Sequence, residues 1–116
     1  MHIFRVTVRG RFDGLDEGAR ERLAAVAEEH DHMHARFTEA GTLTYDRRLD
    51  FFSFRVQQRE READHAGAAE ASVHAAERAI EQAGAAVQAF GASFRDLRIT
   101  STDMADMWAD EPESAG

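Results

Sequence analysis

Phe4, Val6, Val8 and Phe12 alternate with Arg5, Thr7, Arg9 and Arg11 over residues 3–12. A period of two predicts a strand with an apolar face and an arginine face. Asp13-Gly14 breaks the run. Over residues 15–30 the spacing lengthens: Leu15, Ala19, Leu23, Val26 and His30 recur every three or four positions, with Asp16, Glu17, Arg20, Glu21, Glu28 and Glu29 filling the other side. That spacing predicts an amphipathic helix, N-capped by Asp13, with acidic residues in the first turn where the helix dipole favours them. Residues 32–57 predict two strands. His32, His34, Arg36 and Thr38 alternate with Met33, Ala35, Phe37 and Glu39; Ala40-Gly41 marks a turn or bulge before Thr42-Leu43-Thr44-Tyr45. Residues 46–50 reverse the chain, and Phe52, Phe54 and Val56 then alternate with Phe51, Ser53 and Arg55. A tight turn at Gly41 is the competing register. Residues 58–65 are a charged connection. Residues 66–83 predict a second helix with Ala69, Val73, Ala76, Ile80 and Ala83 on one stripe; so much alanine implies close approach to the sheet. Gly84 to Ser93 reads as a helical turn or a loop. Residues 94–102 form the last strand, with Leu97 and Ile99 set against Arg98 and Thr100.

The order β-α-β-β-α-β predicts an α+β ferredoxin-like sandwich, a four-stranded antiparallel sheet with two helices on one face. Phe4, Val6, Val8, Phe52, Phe54, Val56, Leu97 and Ile99 would face Leu23, Val26, Val73 and Ile80. Burying such side chains contributes roughly 1.5–3 kcal/mol each before entropy is counted. The reverse face would receive Arg5, Thr7, Arg9, Arg11, His32, His34, Arg36, Phe51, Ser53, Arg55 and Arg98. One domain over residues 1–108 is expected, followed by a disordered acidic tail at 109–116.

Charge makes that reverse face more conspicuous. The chain has 116 residues, 14 basic against 22 acidic, and a formal net charge of −8. Such a balance argues against nucleic acid and anionic membrane as partners, yet several arginines share one surface. Every basic residue is arginine and lysine is absent, a bias that GC-rich coding explains without a functional cause. The absence of cysteine excludes disulfides, thiolate metal sites and a cysteine nucleophile. No leader-like segment and no apolar run near the roughly 18 residues of a membrane span are seen, so a cytoplasmic protein is expected.

Three segments offer chemistry. In His30-Asp31-His32-Met33-His34, a strand would place His32 and His34 on one face, where imidazoles can bind a metal or move a proton; no third ligand has diagnostic spacing, so no metal is assigned. Tyr45 is the only tyrosine. It stands beside Asp46 and can position or protonate a ligand oxygen, or pack with its hydroxyl at an edge. Thr100 to Trp108 mixes hydroxyls, carboxylates and large apolar groups, and reads as a packing flap or an active-site lid. No phosphate-binding glycine loop, nucleophile elbow or H-E-x-x-H motif is present.

Taken together, Arg5-Val6-Thr7-Val8-Arg9-Gly10-Arg11-Phe12, Glu29-His30-Asp31, Phe37-Thr38-Glu39-Ala40-Gly41, Leu43-Thr44-Tyr45-Asp46, Phe51-Phe52-Ser53-Phe54-Arg55 and Phe94-Arg95-Asp96-Leu97-Arg98 before Thr102-Asp103-Met104 resemble a small family from high-GC Gram-positive bacteria, described only as a domain of unknown function. The resemblance extends to about residue 107. It brings no activity and no catalytic residue, and it implies that His32 and His34 are additions to the family's pattern. Two readings remain open. The first is a cofactor-independent domain that binds or transforms a small anionic or oxygen-rich molecule, cyclase- or isomerase-like, with Arg9 and Arg55 holding the ligand and His32, His34 or Tyr45 moving a proton. The second is a non-catalytic homodimeric accessory or interaction module. Fold-level analogy cannot choose between them.

Overall fold

In the computed structural model, residues 1–61 and 64–104 are described. The long alternation at the N-terminus forms β1 (His2–Asp13), and the chain continues through α1 (Glu17–Ala25), β2 (Thr42–Tyr45), β3 (Phe51–Glu60), α2 (Ala68–Gln88) and β4 (Ser93–Asp103). The strands run in the order β2-β3-β1-β4 and every ladder is antiparallel. This is the ferredoxin-like β-α-β-β-α-β arrangement expected. Both helices pack on one face, where Phe4, Val6, Val8, Phe12, Leu43, Tyr45, Phe52, Phe54 and Val56 meet Ala19 and Leu23 of α1 and Ala71, Ala75, Ala79, Ala83 and Val87 of α2.

Four local expectations are corrected. First, Asp16 rather than Asp13 caps α1, its carboxylate accepting from the Ala19 amide at 2.8 Å. The helix ends at Ala25, and looser turns carry the chain to His30. Second, residues 32–39 are not a strand. His32–His34 form a single 3-10 turn capped by the Asp31 side chain, and the segment's backbone joins the sheet through a bridge from Thr38 to Val56. His32, His34 and Arg36 are therefore absent from the reverse face of the sheet. Asp31-side-chain capping gives the backbone an alternative to the ladder, which the period-two pattern alone does not reveal. Third, the buried stripe of α2 is displaced from the one expected. It runs through every fourth residue from Ala71 to Ala83, while Val73 is 60 % exposed. The sheet already supplies bulky Phe and Val side chains, so a stripe of small residues lets the helix settle on them. Fourth, Ile99 lies on the helix side but at an edge strand, and stays 39 % exposed.

Two backbone irregularities shape the margins of the sheet. Leu49, at φ 61°, lies buried within the reversal between β2 and β3. The Asp46 carboxylate fastens that reversal by accepting from the amides of Asp50 and Phe51 at 3.0 and 2.8 Å. In β4, Asp96 adopts φ 57° and the ladder to β1 shifts between Arg9 and Arg11. That bulge restores Phe94 to the core side, against Phe52. The acidic tail expected at 109–116, and Met107 and Trp108 of the expected flap, lie outside the described residues; Met104 is buried.

Candidate functional site

Strand parity carries the arginines to one surface. Across the β1–β4 ladder Arg9 stands directly opposite Arg98, and Arg11 opposite Arg95. Across the β1–β3 ladder Thr7 faces Arg55, Arg9 faces Ser53 and Arg11 faces Phe51. Thr7 and Thr44 are buried although they lie on this open face. Arg5 reaches the Gln57 side chain at 3.4 Å and lies 5.5 Å from the Phe37 ring centroid; Arg11 lies 5.1 Å from the Phe51 ring centroid.

Charge on this face is poorly balanced. Arg95 has carboxylates near it, Asp13 at 3.8 Å and Asp96 at 4.0 Å. Among the described residues, Arg9, Arg11, Arg55 and Arg98 form no ion pair. Like charges directly across a ladder destabilise it, so the Arg9–Arg98 pair is a local cost. An open depression of about 680 Å³ lies here, lined by Arg9, Arg11, Arg98, Phe51, Ser53 and Asp96 among others. Planar guanidinium groups over an aromatic floor suit a carboxylate or phosphate.

The structure divides the residues expected to share a site. Arg9 and Arg55 lie on the open face. His32 sits at the sheet's β2 edge in a small hollow with Thr44, Tyr45, Asp46, Phe51, Phe52 and Ser53, so it approaches the same end of the face. His34 lies in a different hollow, with Glu28, Glu29, Asp31 and Arg47. Tyr45 is on the opposite side of the sheet. Its hydroxyl donates to the Leu23 carbonyl at 2.6 Å, its ring stacks on His30, and burial, with a further push from the Glu29 charge, raises its pKa to about 12. A phenol so placed packs the core and holds α1; it does not face the arginines.

Sequence reasoning missed a second polar centre at the other end of the molecule. Glu60 ends β3 in the same parity as Val56 and Gln58, and is only 3 % exposed. Its Oε1 meets His65 Nε2 at 2.8 Å and His74 Nδ1 at 2.7 Å, while its Oε2 accepts from Arg78 at 2.7 Å. Burial pushes the carboxyl pKa up, but hydrogen bonds from His74, Arg78 and His65 together outweigh it and hold the group below its usual range. Gln58 bonds to Gln82 beside this cluster. One signal was present in the sequence: a carboxylate in the apolar register of a strand needs partners, and His74 and Arg78, four apart on α2, can supply them from one helix face.

Among the described residues, no helix is long and apolar enough to cross a membrane. The chain matches no curated protein and no solved structure. A family model, described as a family of unknown function (DUF6204), matches residues 1–115, and the chain belongs to that family.

Proposed function

We propose that the arginine face of the sheet binds a small anionic molecule through carboxylate or phosphate oxygens. The observation that carries this reading is the Arg9–Arg98 pair, directly opposed, adjacent to Arg11 and, among the described residues, lacking a carboxylate partner, in a chain of net charge −8. An anion bridging the two guanidiniums converts repulsion into charge-assisted hydrogen bonds. Arg55, across the sheet from Thr7, extends the positive field toward β2. Phe51, 55 % exposed, offers an apolar surface beside it. His32, at the same end, is the residue best placed to exchange a proton with a bound ligand.

The test is thermal unfolding of the wild type, Arg9→Gln and Arg98→Gln in inorganic phosphate and in succinate, against chloride at matched ionic strength. A ligand that binds only the folded form raises its midpoint. Wild type should gain stability from one of the two anions, and each variant should lose that gain while being at least as stable as wild type without ligand. Equal gains in all three proteins would remove the proposal.

A second reading, homodimerisation, is favoured by β4. It is an edge strand of 11 residues, mostly exposed, and such an edge is a template for pairing with another chain. Light scattering across a concentration series decides it: a monomer throughout removes the dimer, and a dimer disrupted by Thr100→Pro establishes pairing through β4.

A further inference from the structure

We propose that Glu60, His65 and His74 form a binding site for a first-row divalent metal ion, zinc foremost. One ligand atom from each of Glu60, His65 and His74 lies within 4.8 Å of the others. Zinc bonds of about 2.0–2.2 Å to nitrogen and carboxylate oxygen put neighbouring donors of a tetrahedral site about 3.3–3.5 Å apart. The two imidazole nitrogens stand 2.8 and 2.7 Å from the single oxygen Oε1. Roughly half an ångström of spreading therefore suffices for a metal ion to replace the protons that hold these contacts. Two histidines and one carboxylate are the donor set of many catalytic zinc and non-haem iron sites, which leave a coordination position open.

The surroundings fit this assignment independently of the three donors. Glu70 lies 3.6 Å from Nδ1 of His65, the nitrogen turned away from Glu60. A carboxylate behind a ligating histidine fixes the ring and its tautomer. Arg78 occupies Oε2 of Glu60 and leaves Oε1 for the metal. Glu60 and the His65 side chain are nearly buried, whereas His74 is half exposed. The cluster lines an open cavity of about 630 Å³, in which Met1, Val73 and Glu77 also take part. The fourth position of the metal is thus accessible to water or to a small oxygen ligand. The histidines singled out from the sequence, His32 and His34, are not in this site.

Calorimetric titration of the full chain with Zn²⁺, and the visible absorption of its Co²⁺ complex, test the assignment. Wild type should bind one Zn²⁺ and give the intense absorption of a four-coordinate Co²⁺ centre. His74→Ala, at a half-exposed position on α2, should fold normally and bind about 100-fold more weakly. Glu70→Gln should weaken binding about 10- to 100-fold. The double variant His32→Ala/His34→Ala should bind as wild type does. The proposal is overturned if wild type binds neither ion, if His74→Ala binds as tightly as wild type, or if the His32/His34 double variant abolishes binding. Because the site is remote from the arginine face, Arg9→Gln should leave Zn²⁺ binding intact.

Discussion

Replacing Tyr45 by phenylalanine removes one oxygen from the centre of the fold. The hydroxyl serves the Leu23 carbonyl at 2.6 Å. That carbonyl lies in the last turn of α1, where helix carbonyls lack intrahelical donors. The amide that would ordinarily reach it, on Ala27, bonds instead to Ala24 at 3.3 Å. Leu23 is fully buried, so water cannot take the place of the hydroxyl without opening the core. Leaving a buried acceptor unpaired costs about 1–3 kcal/mol. For a chain of this size, that corresponds to a fall of about 4–12 °C in the thermal midpoint. The pH dependence gives a second signature. Tyr45 has its pKa raised from 10.0 to about 12 in the folded protein, because burial opposes the phenolate. A raised folded pKa contributes stability that is fully present below the unfolded value and is lost as pH rises through the folded one. The wild-type advantage over Tyr45→Phe should therefore be constant up to about pH 9 and shrink between pH 10 and 12. Denaturant unfolding at a series of pH values measures this directly. A variant as stable as wild type at neutral pH would refute the structural role assigned to the hydroxyl. So would loss of anion binding in a variant whose stability is unchanged, which would return Tyr45 to the ligand site.

Glu60→Gln should destabilise the protein at neutral pH by about 1.5–3 kcal/mol, the range for hydrogen bonds to a charged group. Since the folded carboxyl lies below its ordinary 4.5, its contribution is present above that value and is lost as pH falls through the folded one; acid unfolding curves of wild type and variant should converge below pH 4.5. Curves that stay parallel would show that Glu60 is not held ionised by its partners. Gly41→Ala should be destabilising by more than 1 kcal/mol, because Gly41 sits at φ +88° and a methyl group there would lie 1.9 Å from the Phe54 ring; an unchanged unfolding midpoint would show that this turn relaxes.

The strands were legible where the chain keeps period two without interruption. β1 and β3 alternate for ten residues or more, although residues 58–60 of β3 read as part of a charged connection, and the observed register preserves the predicted division between Phe4, Val6 and Val8 on one side and Arg5, Arg9 and Arg55 on the other. The segment from His32 to Glu39 alternates equally well and is not a strand. Its turn is fixed by one side chain, Asp31, bonding to the Met33 amide, a local competition that hydrophobic periodicity does not register. On α2 the apolar residues that drew attention, Val73 and Ile80, are not the buried stripe, because contact distance to the sheet decides which face turns inward. The Glu60 centre assembles residues from a strand end, a connection and a helix, five and nine positions apart. Such spacing has no motif, and only the three-dimensional arrangement brings the groups together.

Two places in this molecule break the rules that make a sequence agree with its fold, and such places tend to be functional. Glu60 puts a charge in the apolar register of β3, and Arg9 and Arg98 put like charges face to face. The first conflict is resolved within the chain: His65, His74 and Arg78 all turn toward the carboxylate. The second is not. Asp96, the carboxylate lining the same depression, lies 4.0 Å from Arg95, and among the described residues no other carboxylate approaches the opposed pair closely enough to form an ion pair. Folding alone would be served better by a neutral residue at either position. On the proposed reading an anion from outside the chain would supply what the fold withholds, and for that reason relief of the repulsion by Arg9→Gln and loss of the anion response should appear together in one variant.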